Sequence, residues 1–271
     1  MNSRTSESSS NPLPCHGRDD PSRVRGDSGL VSRRRLSWFV FLGCLIAASL
    51  AWVSTEAVMV AYHDQIYPKF KPVPDREDAR RLFHARVSCG RMAYIAMGAI
   101  VPLCLGTAAG LARRSGRATI QAAILGGLTG VALVAVASSV ALPAFYKSWE
   151  PSSFDMTVPL LTHGVIWSGI GVAGGLAIGL GLGLGGWSAA LKAVLGGFVG
   201  AAVATVVYEV VGGVAFPTSK TELPLSESAI TRAMAPLLVV SLTLLGTLIT
   251  RASAKTQTNP AATDLAESAP V

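Results

Sequence analysis

The sequence predicts an all-α fold, a polytopic membrane bundle of six transmembrane helices, and three observations carry that prediction. At 50% hydrophobic and 14% charged residues, with a mean hydropathy of +0.47, the 271-residue chain is far poorer in charge than soluble domains, where roughly a quarter of residues are charged. Its apolar residues gather into six blocks, each long enough for the roughly 20 residues a helix needs to cross a bilayer. The blocks also fall into three successive pairs with shared features, which makes three tandem helical hairpins the expected arrangement.

Residues 1–35 form a basic tail rich in Ser, Pro, Asn, Arg and Asp, without apolar periodicity, and are expected to be disordered. Within and just after it, Ser32-Arg33-Arg34-Arg35-Leu36 resembles a twin-arginine export signal, and Leu42-Gly43-Cys44 resembles a lipoprotein cleavage box. The apolar stretch runs about eighteen residues past Cys44, longer than a signal-peptide core, so an uncleaved first span over 36–62 is expected.

The second span is expected over 92–112. Ahead of it, Asp75 can cap a short helix with Asp78 at its third position, and Leu82, Phe83 and Val87 make an apolar stripe suited to lying on the membrane surface. Spans three to six follow over 118–146, 156–184, 187–216 and 229–249, with a disordered tail over 251–271. The run from Gly179 to Gly186 resembles a phosphate loop only superficially, because no strand precedes it and no Lys-Ser or Lys-Thr pair follows. It reads as a flexible helix end before Trp187.

Orientation follows from Lys and Arg in short loops. Arg33, Arg34 and Arg35 precede span one, and Arg113, Arg114 and Arg117 crowd the turn after span two. Both clusters are cytoplasmic if the protein sits in the inner membrane with both termini cytoplasmic, which is the expected location. The first outer loop runs against this rule, since it carries Lys69, Lys71, Arg76, Arg80, Arg81, Arg86 and Arg91.

The net charge of +7 is split between tails and loops and forms no basic face with interleaved aromatics, which excludes nucleic acid as a partner. The expected partner is the lipid bilayer, with anionic lipid facing the basic clusters. Four scattered cysteines give neither a disulfide framework nor a zinc site.

The repeat is clearest in spans three and five. Leu125-Gly126-Gly127-Leu128-Thr129-Gly130 recurs seventy residues later as Leu195-Gly196-Gly197-Phe198-Val199-Gly200, and span one offers Leu42-Gly43-Cys44 with Ala47 in place of the last glycine. Gly126 with Gly130, and Gly196 with Gly200, are small-xxx-small pairs that let helix backbones approach closely. Thirteen residues on from the first glycine of each, the three spans carry Glu56, Ser139 and Glu209.

A carboxylate at the bilayer centre costs about 2.5 to 3.5 kcal/mol on insertion scales, so Glu56 and Glu209 each need a partner or water. At 100° per residue each glutamate points about 140° to 180° away from its helix's small-residue seam. A helix with a seam on one side and a carboxylate on the other touches protein on both, which places spans one and five centrally.

His163, near the outer end of span four, falls at the same depth as the two glutamates. His63 and Asp64 follow Glu56 on or beside the same helical face, and His84 lies in the same outer loop. Tyr208, beside Glu209, reads as an interfacial aromatic.

Two readings of these residues stand side by side. In the first, the protein is a small transporter or channel component for a cation or a proton, with Glu56, Glu209, His163, His63 and Asp64 bordering an outward-facing site. In the second, it is a scaffold or accessory subunit, partnered by another protein or its own copies, in which Glu56 pairs with Arg91 and Glu209 with Arg232 inside their hairpins.

In its carboxylate late in the first span the chain resembles small cobalt-transporter subunits. That resemblance covers the first three spans without a diagnostic motif, and no residue role follows from it. The ligand spacing assigns no metal, no cofactor is indicated, and no catalytic signature is present.

Overall fold

A computed structural model describes residues 25–67, 76–148, 156–183, 187–217 and 219–257. Six helices make up nearly all of it: α1 (Arg25–Ile66), α2 (Arg76–Ala112), α3 (Gly116–Ser148), α4 (Thr157–Gly181), α5 (Trp187–Ala215) and α6 (Ala229–Gln257). All six contain windows apolar and long enough to cross a membrane. The protein is an all-helical, multi-pass membrane protein.

α1 starts at Arg25 and α6 runs to Gln257, so both extend beyond the expected spans, and residues 25–35 continue the helix of span one. Residues 1–24 and 258–271, the rest of the two expected tails, lie outside the described residues, as do the Asp75 cap and Gly185 and Gly186.

The expected surface helix ahead of span two is not a separate element. α2 runs unbroken from Arg76, and the stripe that was to lie on the membrane packs on the bundle instead. Val87 lies against the core, and Phe83 meets the Tyr146 ring edge-on at 6.3 Å. An apolar stripe continuous in helical phase with a span is buried more fully by protein than by a headgroup layer.

Neighbouring helices pack in chain order, and α4 also meets α2 and α6 while α1 meets α6. The three hairpins do not stand apart, because α2 packs on α3 and α4 on α5 as closely as the partners within each pair. The centre belongs to α4, whose apolar window is 61% buried against 33% for α1. This corrects the expectation that spans one and five are central. Glycine and alanine all round α4 let four helices close on it.

Small residues form the seams. A Cβ on Gly126 would meet Ala177 of α4 at 2.5 Å, one on Gly130 would overlap the Gly98 carbonyl of α2, and those on Gly196 and Gly200 would run into the Gly246 and Leu242 carbonyls of α6. Backbone lies against backbone there, the geometry that favours glycine where lipid gives helices no hydrophobic drive to associate. Gly183, at φ +60°, ends α4 in the left-handed conformation open to glycine at helix C-termini.

The α5–α6 connection does not stay outside. Thr221, Pro224 and Ser226 are buried, and Leu225 packs with Tyr62, Ala85 and Cys89 between α1 and α2. This loop caps the end of the bundle that also carries the α1–α2 and α3–α4 connections.

Candidate functional site

Beneath that loop, two acid–base pairs lie in the helical bundle. Glu209 on α5 is 3% exposed and its Oε1 lies 2.5 Å from Nδ1 of His163 on α4, itself 1% exposed. The second ring nitrogen, Nε2, faces the Pro224 carbonyl at 3.4 Å, and that carbonyl also accepts a hydrogen bond from the Tyr94 hydroxyl.

A carbonyl oxygen only accepts, so the contact with Pro224 is a hydrogen bond in those forms of the ring that carry a hydrogen on Nε2. Nδ1 and Oε1 at 2.5 Å would oppose lone pairs without a second hydrogen between them. With both contacts made as hydrogen bonds, the pair holds two protons, as imidazolium with carboxylate or as neutral imidazole with carboxylic acid.

Aromatic rings wall the pair in. Trp167, one turn along α4 from His163, has its ring centroid 5.3 Å from the imidazole, and Tyr208 lies 5.5 Å from His163 and 5.1 Å from Trp167. Tyr208 is buried, not interfacial as its position beside Glu209 suggested. On α5 it and Glu209 both turn toward α4, where the imidazole supplies a partner for each.

The second pair joins α1 to α6. Arg232 Nε and Nη2 donate to the two oxygens of Glu56 at 2.8 and 2.9 Å, and Trp52 Nε1 adds a bond to Oε1 at 3.1 Å. The remaining Arg232 nitrogen, Nη1, donates to the carbonyls of Ser226 and Glu227, both at 2.8 Å. A bidentate guanidinium–carboxylate contact is among the stronger polar interactions a protein makes.

Neither expected hairpin pair forms. Glu56 meets Arg232 rather than Arg91, which is exposed on α2, and Glu209 meets His163 rather than Arg232. The cause is helical phase. In α1 and α5 the small-residue seam takes the face toward the hairpin partner, so a carboxylate on the opposite face reaches the next neighbour, α6 for Glu56 and α4 for Glu209.

His63 and Asp64 do not join the site. They are exposed and contact each other at 3.4 Å near the end of α1, and His84 is exposed on α2. Among the described residues, no three of His, Cys, Asp and Glu come together as a metal-binding group.

One member of each pair, His163 and Arg232, lines one small cavity of about 20 Å³ together with Thr55, Tyr94, Trp167 and Tyr208 among others, with the Pro224–Ser226 loop as its lid. No family model, curated protein or solved structure matches the chain. What the site can do rests on its own chemistry.

Sequence reasoning missed Tyr94, Trp167 and the loop carbonyls. The buried Pro224 in a short loop after span five is the nearest thing to a signal for the loop's return.

Proposed function

We propose that this multi-pass membrane protein is a small proton-coupled transporter, or the proton-carrying subunit of one, in which Glu209 and His163 hold the exchangeable proton. The observation that carries this reading is the 2.5 Å contact between two titratable side chains buried inside the bundle. Ionisable groups within membrane spans are costly and commonly mark proton relays. A proton is favoured over a metal ion because one imidazole and one carboxylate make too few ligands for an enclosed metal.

On the topology expected from the basic loops, the capped end faces outward. The loop closes it through acceptors on Pro224, Ser226 and Glu227, each bonded to a member of one pair or to Tyr94. Opening the loop would give the pair access to the outer solution.

The test is charge movement in proteoliposomes on a solid-supported membrane under pH jumps. Wild type should give a transient that Glu209→Gln abolishes while retaining its fold. Absence of a transient in wild type under every pH jump would overturn the reading.

A second reading, the accessory subunit, is favoured by the way Arg232 spends four of its five N–H donors on Glu56 and two loop carbonyls, a bracing use of charge. It predicts that exchanging the two charges, Glu56→Arg with Arg232→Glu, restores the folding that either change alone impairs.

A further inference from the structure

The indole nitrogen of Trp167 is the part of the site that the proton pair leaves unexplained. Its N–H is buried without a hydrogen-bond acceptor among the described residues, in a residue only 1% exposed. The Tyr94 hydroxyl interacts with this N–H but outside hydrogen-bond geometry. Burying a donor without an acceptor costs about 1 to 3 kcal/mol, and most buried polar groups in folded proteins avoid that cost.

Trp167 lines the 20 Å³ cavity, which exceeds the roughly 10 to 15 Å³ needed to seat one water. Two polar atoms on its wall are of the complementary kind. The Thr55 hydroxyl spends its hydrogen on the Ala51 carbonyl and the Tyr94 hydroxyl spends its hydrogen on the Pro224 carbonyl, so each offers lone pairs only.

A cation does not satisfy the indole N–H, which is a donor and needs a lone pair. An anion has little net charge to hold it: Arg232 is neutralised by Glu56, and His163 with Glu209 is neutral as a pair in the two-proton state.

We infer that this cavity is a built site for a single water molecule. The water accepts from Trp167 Nε1 and donates to Thr55 Oγ1 and Tyr94 Oη, which gives it the roughly three bonds typical of buried water. This deepens the proton reading and rests on it in one respect: the water is the step by which solvent protons reach His163, which lines the same cavity.

In deuterated solvent the exchange is balanced. The Nε2–H and one O–D bond break, an Nε2–D and an O–H bond form, and neither partner changes charge.

The probe is water itself, read by proton-detected solid-state NMR of the full chain in bilayers. Of the five tryptophans, the indole N–H signal that Trp167→Phe removes should show a cross-peak to water. Filling the cavity with Ala235→Val, which leaves the tryptophan in place, should remove that cross-peak and slow deuterium uptake at His163 Nε2 at least tenfold.

A Trp167 signal without a water cross-peak in wild type would overturn the inference, as would one that persists in a folded Ala235→Val variant. The two claims fail separately. A cross-peak in a protein that gives no charge transient upholds the water site against the proton reading, and a transient without a cross-peak does the reverse.

Discussion

Arg232 of α6 places Nε and Nη2 on the two carboxylate oxygens of Glu56 in α1, 176 positions away in the chain, and not on the glutamate of its own hairpin. The contact joins the first and last helices of the bundle, which otherwise have few reasons to meet. With Glu56 about 29% and Arg232 about 10% exposed, the pair is shielded enough to be worth more than a surface ion pair.

A double-mutant cycle on Glu56→Gln and Arg232→Gln should therefore show a coupling of about 1 to 3 kcal/mol, the range for hydrogen bonds to charged groups. The same cycle on Glu56 and Arg91 should be additive within about 0.5 kcal/mol. Reversible unfolding in mixed micelles reads both. Coupling to Arg91 and none to Arg232 would contradict the pairing.

The buried pair should separate stability from proton handling. Glu209→Gln keeps a side chain that can hydrogen-bond Nδ1 of His163, so it should cost less than about 1.5 kcal/mol, the worth of an ordinary neutral hydrogen bond. His163→Ala leaves the Glu209 carboxylate buried and unpaired, and should cost about 3 to 5 kcal/mol. Equal losses in the two variants, measured by the same unfolding assay, would mean that the imidazole is not the group that neutralises Glu209.

Tyr94 tests how the loop is held. Its hydroxyl donates to the Pro224 carbonyl, and Tyr94→Phe removes that bond while leaving the His163 Nε2 contact with the same oxygen. A net loss of about 0.5 to 1.5 kcal/mol corresponds to a loop that opens up to about tenfold more often. Hydrogen–deuterium exchange of amides over 219–228 should accelerate accordingly, with the helix cores unchanged.

How much of this was legible in the sequence depends on what each feature is made of. Six spans could be read because bilayer-crossing helices need long apolar runs, and those runs are present. The depth shared by His163 and Glu209 could be read too, since it follows from rise per residue and the alternating direction of the spans.

The partners of the glutamates follow helical direction, which turns each carboxylate away from its hairpin mate, and not proximity within the hairpin. Residues 76–91 hid the extension of α2, because their charges depress hydropathy although their helical phase is continuous. The returning loop was invisible for a different reason: it is anchored largely by backbone carbonyls, which every residue has, so no side-chain pattern announces it.

The seams offer a contrast within one helix. On α3 a Cβ at Gly130 would overlap the Gly98 carbonyl of α2, whereas three residues earlier a Cβ at Gly127 would sit 3.6 Å from the Ala99 carbonyl, an ordinary contact. Gly130→Ala must push two backbones apart and should destabilise by about 1 to 3 kcal/mol, the usual cost of overpacking. Gly127→Ala meets no such obstacle and gains helix propensity, worth up to about 1 kcal/mol in an exposed helix interior, so it should be neutral or mildly stabilising.

The two variants differ by one methyl group each at neighbouring turns of the same helix, so lipid contact and expression should differ little between them. If both were neutral, α2 and α3 would not be in backbone contact at Gly98. If both were equally damaging, the small-residue requirement would belong to the whole helix face and not to the close approach at Gly130.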